Sequence, residues 1–120
     1  MEHEAKILCY EEAYRTLRIN YINRIISSVE AIQELIIRKH LTRLSRGDLL
    51  CMQHLAHELA GSGTTFGFPK ITDSGRKADL FLHRALKNLP EGKTLDDAGF
   101  DEFKKLMMEL SWACLAAVRD

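Results

Sequence analysis

The stretch HLAHELAGSGTTFGFPK, residues 54–70, opens as a strong helix through Leu55, Ala56, Glu58, Leu59 and Ala60. It then places Gly61 and Gly63 inside the same run. An interior glycine costs a helix about 1 kcal/mol relative to alanine, so two of them within two turns of His57 require a reason. Gly67 followed by Pro69 ends the run, because glycine suits a helix C-terminus and proline the first turn of a new helix. One helix therefore stops here and another begins.

The neighbouring segments follow the same pattern. Upstream, Ser45 and Asp48 in LSRGD sit three apart, a capping-box start for the second helix. Its inward positions are Leu49, Met52, Ala56, Leu59, Gly63 and Phe66. Before it, a first helix runs from Glu11 to about His40, roughly 45 Å long. Ile22, Ile26, Val29 and Ile36 mark its stripe, flanked by Ile25, Ile32 and Leu35. Downstream, a third helix spans Pro69 to Leu89 with Ile71, Ala78, Leu82, Ala85 and Leu89 inward. After the turn NLPEGKT, Thr94 and Asp97 offer a cap. A last helix begins between Leu95 and Phe100 and buries Phe100, Phe103, Met107, Leu110, Cys114 and Ala117.

No segment alternates with period two for long enough to be a strand. Four long amphipathic segments with short turns predict an all-α, antiparallel four-helix bundle filling residues 1–120 as one domain. The first ten residues leave room for a short extra helix. A second apolar stripe on the last helix, Met108, Trp112 and Leu115, is expected to be covered by Ile7 and Tyr10; the alternative is a dimer or partner surface.

Apolar residues make up 46% of the chain, enough for one core. Seventeen basic and seventeen acidic residues cancel, which argues against the positive field that nonspecific nucleic-acid binding needs. No apolar run approaches the ~20 residues of a membrane span, and MEHEAKILCYEE lacks the features of a signal peptide. Cys9, Cys51 and Cys114 have no CxxC spacing and read as three buried thiols in a reducing compartment. The expected location is the cytoplasm.

On a helical wheel centred on Leu59, His57 falls about 160° away and faces solvent. Gly61 and Thr64 follow on that side, Ala60 flanks it, and Gln53 and His54 approach from the turn before. Exposed helix faces are usually filled with Lys, Glu, Arg and Gln. Here short side chains leave the imidazole unobstructed. Gly63 lies inward, where close helix–helix packing explains it. Imidazole, with an ordinary pKa of about 6.5, is a nucleophile near neutral pH and can accept and release a phosphoryl group. In-line transfer requires close approach of donor and acceptor, so clearance matters.

These residues resemble the signature of histidine-containing phosphotransfer (HPt) domains. His57, Gly61, Ser62, Phe66 and Gly67 match its pattern, and the TFGF run at Thr65 to Phe68 is similar to the phosphotransfer domain of chemotaxis kinases. The resemblance implies that His57 is phosphorylated, through Nε2, and exchanges the group with an aspartate on a response-regulator receiver domain. A sensor histidine kinase is a further candidate donor. The receiver would bring the Mg²⁺, and no cofactor is expected on this chain. Gln53, His54, Ala60, Gly61, Thr64 and Phe68 would form the docking surface. The family's basic residue three positions after the histidine is Ala60 here; Lys70 and Arg76 are candidates to replace it, the alternative being ordinary surface charges. In several members an acidic or amide side chain on the third helix holds the histidine's inner nitrogen, and the matching position is Asp79. Its alternative is a surface acid paired with Arg76 or His83.

Two other chemistries are weaker. His54 and His57 could chelate a metal with His83 or Glu58, but no compact ligand cluster is evident. GSGTTFG lacks the GK[ST] ending of a phosphate loop. The rival to a relay protein is a non-catalytic helical binding module that docks receivers without phosphotransfer.

Overall fold

The computed structural model describes residues 2–39 and 43–119, with side chains from Glu4. Four helices build a bundle: α1 (Glu2–Arg38), α2 (Arg46–Ser62), α3 (Pro69–Asn88) and α4 (Asp97–Arg119). There is no strand among the described residues. α2 packs on α3, α3 on α4, and α4 on α1.

Local chemistry sets the ends of α2. The Ser45 N–H donates to Asp48 Oδ2 at 2.9 Å and the Asp48 N–H donates to Ser45 Oγ at 3.2 Å, the reciprocal box the sequence predicts. Burial alone would raise the Asp48 carboxyl. The Ser45 hydrogen bonds and the Lys39 ammonium, 3.4 Å away, outweigh it and hold the group below the usual carboxylate range. The other end tightens into a 3-10 turn at Thr64–Phe66. Gly67 follows at φ +88°, a left-handed conformation that favours glycine.

Two glycines set how closely the chain folds back. A Cβ on Gly63 would meet Thr72 Oγ1 at 2.7 Å and the Phe68 carbonyl and Thr72 nitrogen at 2.8 Å. Thr72 Oγ1 instead accepts from the Thr64 N–H at 2.9 Å. A Cβ on Gly75 would stand 2.9 Å from the Ala60 nitrogen and 3.1 Å from the Ala56 carbonyl. α3 therefore rests directly on the backbone of α2 at Ala56 and Ala60.

The opposite end of the bundle is tied by loop contacts. Arg46 donates to the Leu86 and Leu89 carbonyls at 3.0 and 3.2 Å, satisfying acceptors that the end of α3 leaves free. The Leu95 N–H donates to the Leu44 carbonyl at 3.0 Å and joins the two long connections. The start of α4 is served by Asp96, whose Oδ1 accepts from Gly99 N–H at 2.7 Å, rather than by Thr94 and Asp97.

α1 differs most from expectation. Residues 2–10 form no separate short helix but continue α1 without a break; the expected end at His40 lies outside the described residues. The buried stripe is Tyr21, Ile25, Val29, Ile32 and Leu35, rotated from the expected one, with Ile22 and Ile36 half-buried and Ile26 exposed. Ile7 and Tyr10 are themselves exposed and do not cover α4. Trp112, 60% exposed, and Leu115 border an apolar groove with Ile32, Ile36, Ile37 and Met108. The Ser111 hydroxyl is buried at this groove with no hydrogen-bond partner among the described residues.

The thiols also depart from expectation. Cys114 is buried, which pushes it up to about 12, whereas Cys9 and Cys51 are exposed. No helix among the described residues is long and apolar enough to cross a membrane.

Candidate functional site

α2 carries Gln53, His54 and His57, and α3 carries Arg76, Asp79 and His83. The close approach at Gly75 brings the two sets together, because Gly75 lies one turn before Asp79 and Ala56 and Ala60 bracket His57. His57 Nδ1 stands 3.0 Å from Asp79 Oδ2. The imidazole is 76% exposed and the aspartate 24%. A carboxylate can only accept, so Nδ1 carries a proton, and in the neutral ring Nε2 keeps its lone pair. Nε2 makes no hydrogen bond among the described residues.

Gly61 is exposed, and a Cβ built there would meet nothing within 4 Å. Its absence of a side chain answers no packing need inside this chain. Gly63 and Gly75 are the opposite case, because each is required by backbone a few tenths of an ångström closer than a Cβ tolerates.

The ring opens onto two surface depressions. One is lined by Leu50, Gln53, His54 and His57, the other by Gln53, His57, Arg76, Asp79, Leu80 and His83. Gln53 joins them and lies 3.4 Å from His83 Nδ1. His54 is drawn along its own helix to Glu58, with Nε2 3.2 Å from Oε1, and Glu58 in turn meets Arg24 at 3.5 Å. Arg76 borders the site and forms no ion pair among the described residues. Lys70, exposed in the first turn of α3, lines neither depression.

The other expected docking residues differ in how far they are presented. Phe68 is buried at 7% exposure, not presented to a partner. The 3-10 turn and the left-handed Gly67 rotate it inward, where its ring lies 6.2 Å from Tyr21 and Arg18 packs over it at 5.1 Å. Thr64 is exposed but tied to Thr72, Oγ1 to Oγ1 at 3.1 Å. Ala60 is half-buried, with its backbone against Gly75.

Two residues of the site escape a wheel reading that assigns apolar side chains to the core. Leu50 and Leu80 are 51% and 52% exposed and flank His57 on either side. The signal lies in their spacing: Leu50 precedes His57 by seven, two turns on the same face, and Leu80 adjoins Asp79. No three His, Cys, Asp or Glu side chains converge as a metal site among the described residues.

Comparison of the chain with protein-family models, with curated proteins and with solved structures returns no match.

Proposed function

We propose that this protein is a histidine phosphotransfer protein of a two-component phosphorelay, a phosphocarrier rather than a self-sufficient enzyme. The observation that carries the reading is the His57–Asp79 pair: an exposed imidazole whose inner nitrogen is held at 3.0 Å and whose outer nitrogen is unengaged. The open space at Gly61 supports it, since only an incoming partner gains from that clearance.

In the forward step the His57 Nε2 lone pair attacks the phosphorus of a receiver's aspartyl phosphate. The N–P bond forms, the P–O bond breaks, and the receiver carboxylate departs with the electron pair. The ring becomes cationic while Nδ1 keeps its proton, and the Asp79 carboxylate stabilises that charge. The reverse step returns the group to a receiver aspartate. Arg76, which lines the same depression as His57, is the cation that would meet phosphoryl oxygens in place of the basic residue Ala60 lacks. Leu50 and Leu80, with Gln53 and His54, offer a small mixed surface for a transient encounter. The receiver, a cytoplasmic domain, would supply Mg²⁺; a sensor kinase would feed the relay.

The second reading, a helical module that docks receivers without transfer, draws on Ala60 and on the exposed leucines. One assay separates them: incubation with a receiver charged by a small phosphodonor in Mg²⁺. The relay gives an acid-labile, base-stable label on this chain that His57→Gln abolishes. A hydrogen bond to a charged group is worth about 1.5–3 kcal/mol, so Asp79→Asn should slow transfer about 10- to 100-fold. Receivers that bind without ever labelling the chain would refute the relay and leave the docking module.

A further inference from the structure

We propose that the N-terminal half of α1 is a homodimerisation arm, in which residues 7–17 pair with the same segment of a second copy as an antiparallel two-helix coiled coil. The inference does not depend on the chemistry at His57. At 1.5 Å per residue α1 is about 55 Å long, close to the 63 Å long axis of the whole molecule. The bundle supports only part of it. Every side chain from Glu4 to Leu17 is exposed, and the first buried one is Tyr21.

The overhanging helix is not polar all round. Ile7, Tyr10, Tyr14 and Leu17 are 44%, 76%, 48% and 56% exposed and follow a three-four-three spacing. At 100° per residue all four lie within about 40° of Tyr21. They extend the stripe that α1 buries in the bundle past the bundle's end, where no described residue buries them. A helix gains most of its stability by packing an apolar face, and a segment this short is marginal alone. The spacing is that of coiled-coil core positions.

Charge selects the occupant and its direction. About an axis at residue 12, residues 2–11 hold Glu2, Glu4 and Glu11 against Lys6, a net −2, while residues 13–22 hold Arg15 and Arg18 with no acid, a net +2. A parallel pair would align like with like. An antiparallel pair sets each acidic half on a basic half, so the arm complements itself about a two-fold axis. Matching Ile7 with the partner's Leu17, and Tyr10 with the partner's Tyr14, brings Glu4 beside the partner's Arg18. The two-fold axis then passes at residue 12, and Ala13 lies one residue from it, close to its own counterpart.

Sedimentation velocity of the full chain tests this. Over about 1–100 μM, a range that brackets micromolar association, the mass should rise from 13.7 kDa to twice that value. Tyr14→Lys, outside the bundle, should keep the chain monomeric throughout with an unchanged helical spectrum. Ala13→Cys, with Cys9→Ser and Cys51→Ser, should be linked into dimers by a short bismaleimide. A monomer at every concentration overturns the proposal. So does a dimer that Tyr14→Lys leaves intact, which places the interface elsewhere, such as the groove beside Trp112. A dimer that Ala13→Cys cannot link overturns the antiparallel pairing.

Discussion

Glycine-to-alanine substitution should have opposite signs at Gly61 and Gly75, and the geometry gives both magnitudes. At Gly61 an added Cβ meets nothing within 4 Å, so only the backbone term operates. An interior glycine costs about 1 kcal/mol; Gly61 sits in the last turn of α2, where the gain from alanine falls to about 0.5 kcal/mol. At Gly75 the same methyl lands 2.9 Å from the Ala60 nitrogen and 3.1 Å from the Ala56 carbonyl and Ala60 Cα. All three are backbone atoms and cannot turn aside. Overpacking costs about 1–3 kcal/mol, and against unyielding backbone the upper part of that range, about 2–3 kcal/mol, applies; with about 1 kcal/mol of helix propensity regained, the net loss is about 1–2 kcal/mol. In urea, followed by circular dichroism at low protein concentration, a slope of about 1.5 kcal/mol per molar moves the midpoint up about 0.3 M for Gly61→Ala and down about 1 M for Gly75→Ala. The two variants should also part in function. Gly61→Ala leaves the His57–Asp79 contact intact but would crowd the incoming receiver of the proposed relay; Gly75→Ala pushes α3 off α2 and loosens the contact itself. A destabilised Gly61→Ala, or a Gly75→Ala as stable as the parent, would refute this account of the glycines.

Four further outcomes follow from the bundle. Because Asp48 is held below its ordinary value of about 3.9, its contribution is present above that pH and disappears as acid protonates the folded carboxyl. Thermal melts from pH 6 to 2.5 should show an advantage over Asp48→Asn that vanishes only below about pH 4. Ser45→Ala, which removes the other half of the box, should cost about 1 kcal/mol in urea unfolding. Cys9 and Cys51 should react rapidly with a thiol reagent while Cys114 waits for denaturant, so that a third fast thiol in the native protein would contradict its burial. Ser111→Ala removes a buried hydroxyl without a partner among the described residues and should stabilise the chain by about 1 kcal/mol, read as a higher denaturation midpoint.

The hairpin from Ser45 to Leu89 is legible in the sequence because its signals are local. The Ser45–Asp48 box, Gly67 with Pro69, and the stripe Leu49, Met52, Ala56, Leu59 each act within a turn or two. The Asp79 contact is legible only through the resemblance, which singles out that position on the third helix; the wheel alone leaves Asp79 a flank acid equally able to pair with Arg76 or His83. α1 is harder. Isoleucines at 19, 22, 25, 26, 32, 36 and 37 populate most of the wheel, and only packing against α4 selects Ile25 and Ile32 over Ile22 and Ile26. Phe68 is misplaced by a wheel because the 3-10 turn and the left-handed Gly67 interrupt the 100° step. Exposure of Cys9 depends on how far α1 overshoots its neighbours, a property of lengths in three dimensions rather than of the residues around it.

The His57–Asp79 contact joins helices that are consecutive in the chain, only 22 residues apart. Such local pairings form early and quickly, since little loop-closure entropy opposes them. The His57–Asp79 geometry can thus be set before the outer helices dock, and it can survive partial fraying of α1 or α4. Evolution can remodel those two helices, lengthening one or recasting its surface for new associations, while the two-helix unit that holds the imidazole keeps its shape.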